Sequence, residues 1–104
     1  MKLKRYEILL PLKYNDGTEI EKEKFEKTHK ELLEEFGATT FDSVVAYGRW
    51  VYKSVIYEDQ LLRFRIDTKN TKKSQAFFKK YKSVLKERFQ QLDIWITAHD
   101  LEVI

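Results

Sequence analysis

The polar and apolar positions of this chain fall into segments with two different periods. From Tyr6 to Tyr14 the pattern alternates: Tyr6, Ile8, Leu10 and Leu12 lie on one side, and Glu7, Leu9 and Pro11 on the other. A period of two predicts a strand with one well-buried face. Asn15-Asp16-Gly17 is the clearest turn signal in the chain. After it, Thr18 with Glu21 three residues on has the spacing of a capping box, which predicts a helix from about Glu19 to Phe36. Phe25, His29, Leu32 and Phe36 make its apolar stripe, and Gly37 stands where a C-cap belongs.

Residues 39–52 are rich in β-branched and aromatic side chains and read as a second strand, bent or interrupted at Gly48. An extended stretch continues to Tyr57, with a turn expected near Glu58-Asp59. Leu61 to Asp67 reads as another strand, with Leu62, Phe64 and Ile66 opposite Leu61, Arg63, Arg65 and Asp67. Thr68 to Thr71 then caps a long helix to about Gln91, striped by Phe78, Tyr81, Leu85, Phe89 and Leu92, with Phe77 and Val84 widening the stripe. The last strand runs from Asp93 to about His99. Ile94, Ile96 and Ala98 point one way, and Trp95, Thr97 and His99 the other.

The order is β-α-β-β-α-β, which predicts an α+β, ferredoxin-like domain spanning residues 1–104: a four-stranded antiparallel sheet with two helices on one face. Ile8, Leu10, Leu62, Phe64, Ile66, Ile94 and Ile96 are expected under the helices. Glu7, Leu9, Arg63, Arg65, Trp95, Thr97 and His99 are expected on the open face.

Composition narrows the function. The 104 residues hold no Cys, three isolated Gly and two His. Without Cys there is no disulfide, thiolate nucleophile, Cys-based zinc site or Cys-ligated cluster. No glycine-rich loop is present to cradle phosphate, and none of the four Ser residues lies in a Gly-x-Ser-x-Gly segment. The two His residues, His29 and His99, fall on opposite faces of the sheet by parity, so no metal and no cofactor is expected, and no catalytic residue is assigned. His29 lies in an apolar stripe, where packing explains it. The basic N-terminal stretch is followed by only a short apolar run broken by Pro11, so neither an export signal nor a membrane span is read, and the expected location is cytoplasmic.

The net charge of +3 hides an asymmetry. Residues 18–36 carry a balance of −3, and residues 69–92 a balance of +7. Two solvated helix faces that attract weakly account for this. A basic helix that meets nucleic acid is the functional alternative. The third strand lacks the Gly and the outward aromatics of RNA-recognition sheets, which leaves Trp95 as the stacking platform. An open-face site for an anionic small molecule would draw on Arg63, Arg65, Trp95 and His99, with Arg49, Trp50 and Asp59 near the hairpin. Against that stands plain packing of Trp95 in a homodimer interface, and a surface position for His99 at a strand end.

Several segments resemble a group of small bacterial domains of unknown function: the Asp16-Gly17 turn, Phe36-Gly37-Ala38-Thr39-Thr40, Gly48-Arg49-Trp50, Tyr57-Glu58-Asp59, and Phe89-Gln90-Gln91 at the end of the second helix. The resemblance covers most of the chain. It implies the same architecture and marks Gly48-Arg49-Trp50 as a shared feature, but carries no activity. Some members of that group look exported, whereas this chain shows no such segment. The sequence therefore points first to a binding or interaction module, homodimeric through its open sheet face. A cofactor-free enzyme doing acid–base chemistry on that face is the alternative, and nucleic-acid binding through the second helix is third.

Overall fold

A computed structural model describes residues 1–40 and 60–104 with their side chains, and the backbone alone of residues 41–52 and 55–59. Six elements follow one another: β1 (Lys2–Pro11), α1 (Lys22–Phe36), β2 (Thr40–Tyr52), β3 (Val55–Thr68), α2 (Lys72–Arg88) and β4 (Trp95–Glu102). The architecture is α+β. The strands pair antiparallel in the order β2-β3-β1-β4, so the first strand is central and the last lies at an edge. No described helix is long and apolar enough to cross a membrane.

The period-two reading of β1 and β3 decides which face is buried. Tyr6, Ile8 and Leu10 on β1, and Leu62, Phe64 and Ile66 on β3, all lie in the core together with Ile94. Leu32 of α1 and Phe78, Tyr81 and Leu85 of α2 close over the same face, joined by Phe89 just past the end of α2. An aromatic column fixes the middle of this layer. Tyr6 stacks on Phe78 at 3.9 Å between ring centroids, Phe78 stacks on Phe36 at 5.2 Å, and Phe77 meets both phenylalanines edge-on. Burying such rings removes large apolar areas from water and adds ring–ring geometry.

Several boundaries differ from the sequence expectation, each for a local reason. α1 starts at Lys22, not near Glu19, and Thr18 does not cap it. Instead Thr18 donates its N–H and its hydroxyl to Asp16 Oδ1 (2.9 and 2.7 Å), while Tyr14 N–H donates to Thr18 O and Ile20 N–H to Leu12 O. Residues 18–20 are thus the return limb of a small turn with Gly17 at φ 89°, and Ile20 is buried by it. A helix cannot begin until those backbone groups are released. The ladder between β2 and β3 runs without a break from Gly48↔Asp59 to Tyr52↔Val55, so there is no turn at Glu58-Asp59 and no bend at Gly48. The irregularity lies between Asp42 and Val45, where two extra residues enter β2. β1 begins four residues earlier than expected, and β4 starts at Trp95 and runs on to Glu102, because these two strands pair from Lys2↔Glu102 to Leu9↔Trp95.

Two positions in the helix stripes also depart from expectation. Thr28, not singled out by its chemistry, is fully buried, and its hydroxyl donates to Lys24 O at 2.8 Å. Leu92 is 67% exposed, because α2 has already ended. Gln90 takes φ 52° just after the helix, and Gln91 N–H donates back to Lys86 O, which turns the chain off the helix axis before Leu92. His29 is half-buried, with its ring tilted against Phe64 at 6.1 Å between centroids.

Candidate functional site

The face opposite the helices follows from the same registers. Read across β3, β1 and β4, it consists of rows: Asp67–Arg5–His99, then Arg65–Glu7–Thr97, then Arg63–Leu9–Trp95. Successive rows are about 6.8 Å apart along a strand. The first row holds a two-pronged ion pair, with Arg5 Nε and Nη2 donating to the two Asp67 carboxylate oxygens at 2.7 and 2.9 Å. Arg5 holds the Asp67 carboxyl below the usual range, and Asp67 in turn raises the Arg5 guanidinium. The second row sets Glu7 opposite Arg65, as the alternating pattern allowed. The third row is apolar apart from Arg63.

These rows separate the expected site residues. Trp95 and His99 lie two rows apart on this face, about 13 Å along β4. Arg63 and Arg65 are half-buried on β3, two strands away from both across β1. The side chains of Arg49, Trp50 and Asp59 lie outside the described residues. Their backbones pair Arg49 with Glu58 and Gly48 with Asp59 on the β2–β3 hairpin.

The apolar end of the face opens into a cavity of about 330 Å³. Leu9, Pro11, Leu61 and Trp95 form its greasy wall; Asn15, Gln91 and Asp93 supply its polar groups. Topology explains the gathering. The turn after β1 and the connection from α2 to β4 leave the sheet at the same end, so Asn15 and Gln91–Asp93 meet over Leu9. The Trp95 indole is 63% exposed at the mouth. Of the seven site residues expected from sequence, Trp95 alone lines this cavity among the described side chains. Gln91, Asp93 and Asn15 were not anticipated. The signal for them was their position in the two loops that a β-α-β-β-α-β order brings to one edge of β1.

Asp93 is the one ionisable lining group of this cavity among the described residues. Lys82 approaches it at 3.0 Å, and Ile94 N–H donates to its Oδ1 at 2.9 Å. The Lys82 hydrogen bond, helped by that N–H, holds the Asp93 carboxyl below its ordinary range. The cavity therefore presents an aromatic plane, two amides and an ionised carboxylate whose charge Lys82 partly offsets. Such a site can stack a flat ring and stabilise positive charge beside it; as a base it is weak. No cluster of three or more metal-ligating side chains is found among the described residues.

The charge asymmetry of the helices has a structural use. Arg88 turns inward, with its side chain only 10% exposed, and bonds Glu31 (Nη1 at 2.7 Å, Nη2 to Oε2 at 3.0 Å) and Thr28 Oγ1 (2.9 Å). Tyr81 donates to Glu31 Oε1 at 2.9 Å. One of the eight basic residues of the segment 69–92 thus joins the two helices.

No family model matches the chain, so the resemblance to the bacterial domain group rests on the quoted segments. No curated protein matches it either. Among solved structures, a phage SAM lyase in complex with S-methyl-5'-thioadenosine is similar, with a TM-score of 0.69 and 13% sequence identity. The match covers 97% of this chain and 90% of the lyase chain. At that identity the likeness is one of fold.

Proposed function

We propose that this chain is a small cofactor-free enzyme of ferredoxin-like architecture, with its substrate site in the Trp95 cavity. Its substrate is an adenosyl compound carrying a positively charged sulfur. The observation that carries the reading is an exposed indole beside the ionised Asp93 carboxylate at the mouth of a cavity large enough for a small-molecule ligand. An adenine would stack on Trp95, and its edge would meet the amides of Asn15 and Gln91. The sulfonium would lie toward Asp93. Support comes from the fold, which is similar over nearly its whole length to a lyase solved with a thioadenosine.

This reading keeps the enzyme alternative drawn from sequence but changes the substrate's charge. Arg63, Arg65 and His99 pointed to an anion; the cavity itself offers a carboxylate. Release of S-methyl-5'-thioadenosine from SAM breaks the bond from sulfur to the aminobutyrate chain, with the electron pair returning to sulfur, while an oxygen of the substrate's own carboxylate bonds the carbon that sulfur leaves and closes a lactone. The chain's part in that step is to bind, orient and exclude water, which requires no nucleophile in the lining.

The test is titration of the purified chain with S-methyl-5'-thioadenosine and with SAM, followed by indole fluorescence and by chromatography of the products. Saturable quenching that is lost in Trp95→Ala supports the reading, and accumulation of thioadenosine with SAM establishes the activity. Equal binding by wild type and Trp95→Ala, or no binding by either, overturns it.

A second reading has its own support. Leu92 and Trp95 are 67% and 63% exposed and lie side by side with the apolar row, as a surface that pairs with another copy would require. A solution mass that stays dimeric at low and high salt, and becomes monomeric in Trp95→Ala, would favour a homodimer through this face. Nucleic-acid binding by α2 ranks behind both. Its mark would be an affinity for DNA or RNA that falls steeply with salt.

A further inference from the structure

A second groove lies on the other side of β4, between that edge strand and α2. Its volume is about 410 Å³, within the range of small-molecule sites. Tyr6 and Phe78 form the floor, Ile96 and Ala98 the strand side, and Lys4, Lys79 and Lys82 reach its rim. No carboxylate lines it among the described residues. Lys4 and Lys82 are tethered at 3.2 and 3.0 Å to Asp100 and Asp93, whose side chains are 84% and 60% exposed. Such surface pairs are weak and exchange readily with another anion. Lys79 has no ion pair among the described residues. Against those two carboxylates, the three ammonium groups leave a net positive charge beside the apolar trough, which favours anions.

The independent observation is at the floor. Tyr6 is 4% exposed, and its hydroxyl is buried with no hydrogen-bond partner among the described residues. A buried hydroxyl left unpaired is costly, so the fold has reason to supply it a partner from outside the chain. Phenylalanine would fill the same ring position, stacked on Phe78, without that cost.

We infer that this groove is a binding site for an organic anion with an apolar body, such as an aliphatic or aryl carboxylate. The apolar body lies along Ile96, Ala98 and Phe78. The anionic head is held by Lys79 with Lys82 or Lys4, and a shift of the side chains over the floor lets a ligand oxygen, or one water that it carries in, reach the Tyr6 hydroxyl, which the ligand-free groove does not expose. The site shares no lining residue with the Trp95 cavity, although Lys82 on its rim pairs with Asp93 of that cavity, so the test is read at Lys79, which is outside that pair.

Sodium octanoate serves as the probe, and 1-octanol as its uncharged counterpart, each titrated into the ¹⁵N-labelled chain. Saturable amide shifts at Lys79, Ile96, Thr97 and Ala98 with octanoate, and much weaker ones with octanol, are expected. Lys79→Gln, an exposed position that leaves the core untouched, should weaken octanoate about fivefold to tenfold. Tyr6→Phe should weaken it about threefold to tenfold, while the ligand-free variant melts at or above the wild-type temperature. Four results would each overturn the inference: equal shifts with octanol, shifts centred on Trp95, no saturation at millimolar octanoate, or an unchanged affinity in Lys79→Gln. A ligand-free Tyr6→Phe protein that melts well below wild type would also overturn it, since the hydroxyl would then already have a partner inside the fold.

Discussion

Replacing Arg88 by Met removes the only guanidinium among the described side chains that joins the two helices, while keeping most of its apolar stem. Wild-type Arg88 is 10% exposed and makes three short contacts to Glu31 and Thr28; the Glu31 side chain keeps 34% exposure. Breaking a fully buried pair costs about 3–5 kcal/mol, because the remaining charge is left without solvent or partner. Glu31 still reaches water on one side, which lowers the expected cost to about 2 kcal/mol. For a chain of this size that corresponds to a fall in melting temperature of about 10 °C. A cycle with Glu31→Leu tests the origin of the loss. The double variant has apolar groups at both positions, and it should be more stable than the sum of the single changes predicts by at least about 1 kcal/mol.

Acid titration supplies a second readout for the same pair. Burial alone would raise the Glu31 pKa, but hydrogen bonds from Arg88 and Tyr81 outweigh it and hold the carboxyl below its usual range. A depressed carboxylate adds stability that is present above its unfolded pKa and disappears as pH falls through the folded one. The gap between wild type and Arg88→Met, followed by urea unfolding, should therefore be full at pH 7 and close below about pH 4. A gap that stays constant from pH 7 to pH 3, or strict additivity in the cycle, would refute the electrostatic account and leave only the loss of packing.

Three further outcomes are open to the same stability assays. Gly37→Ala should cost about 1 kcal/mol: Gly37 caps α1 at φ 74°, its N–H donates to Leu33 O, and an added Cβ meets nothing within 4 Å, so backbone strain is the whole effect. Thr71→Ala should also cost about 1 kcal/mol, because the Thr71 side chain accepts the Ser74 N–H at the start of α2, and Thr71→Asp should restore most of the loss. Asp67→Asn should cost less than about 1 kcal/mol at pH 7, since its pair with Arg5 lies on the partly exposed face, and the difference should vanish at acid pH as the lowered Asp67 carboxyl protonates.

The core was legible from parity. Tyr6, Ile8, Leu10, Leu62, Phe64 and Ile66 are buried because alternate side chains of a strand share a face, and Phe78, Tyr81 and Leu85 because helix positions three and four apart do. Local signals misled where a longer-range partner claimed the same backbone groups. Thr18 looks like a cap for α1, yet its N–H and hydroxyl both go to Asp16, and Ile20 N–H goes to Leu12. Glu58-Asp59 looks like a turn, yet both residues are paired in a ladder that continues to Tyr52↔Val55. Arg88 looked like one more cation of a solvated face until Glu31 and Thr28 were seen beside it.

The candidate site divides in the same way. The sequence by itself determined that Trp95 lies on the face away from the helices, that no cysteine chemistry is available, and that the chain alternates strands and helices in an α+β order. These are consequences of residue identity and of spacings of two and of three to four, which act within one element. Only the tertiary structure decided that Trp95 is joined by Asn15, Gln91 and Asp93 over one cavity, while His99, four residues further along the same strand, lines none of it. It likewise decided that the Tyr6 hydroxyl finds no partner among the described residues, in a groove that three lysines also line. Those groupings depend on which strands neighbour one another and in what register, and register is settled by packing between segments tens of residues apart, which no local pattern encodes.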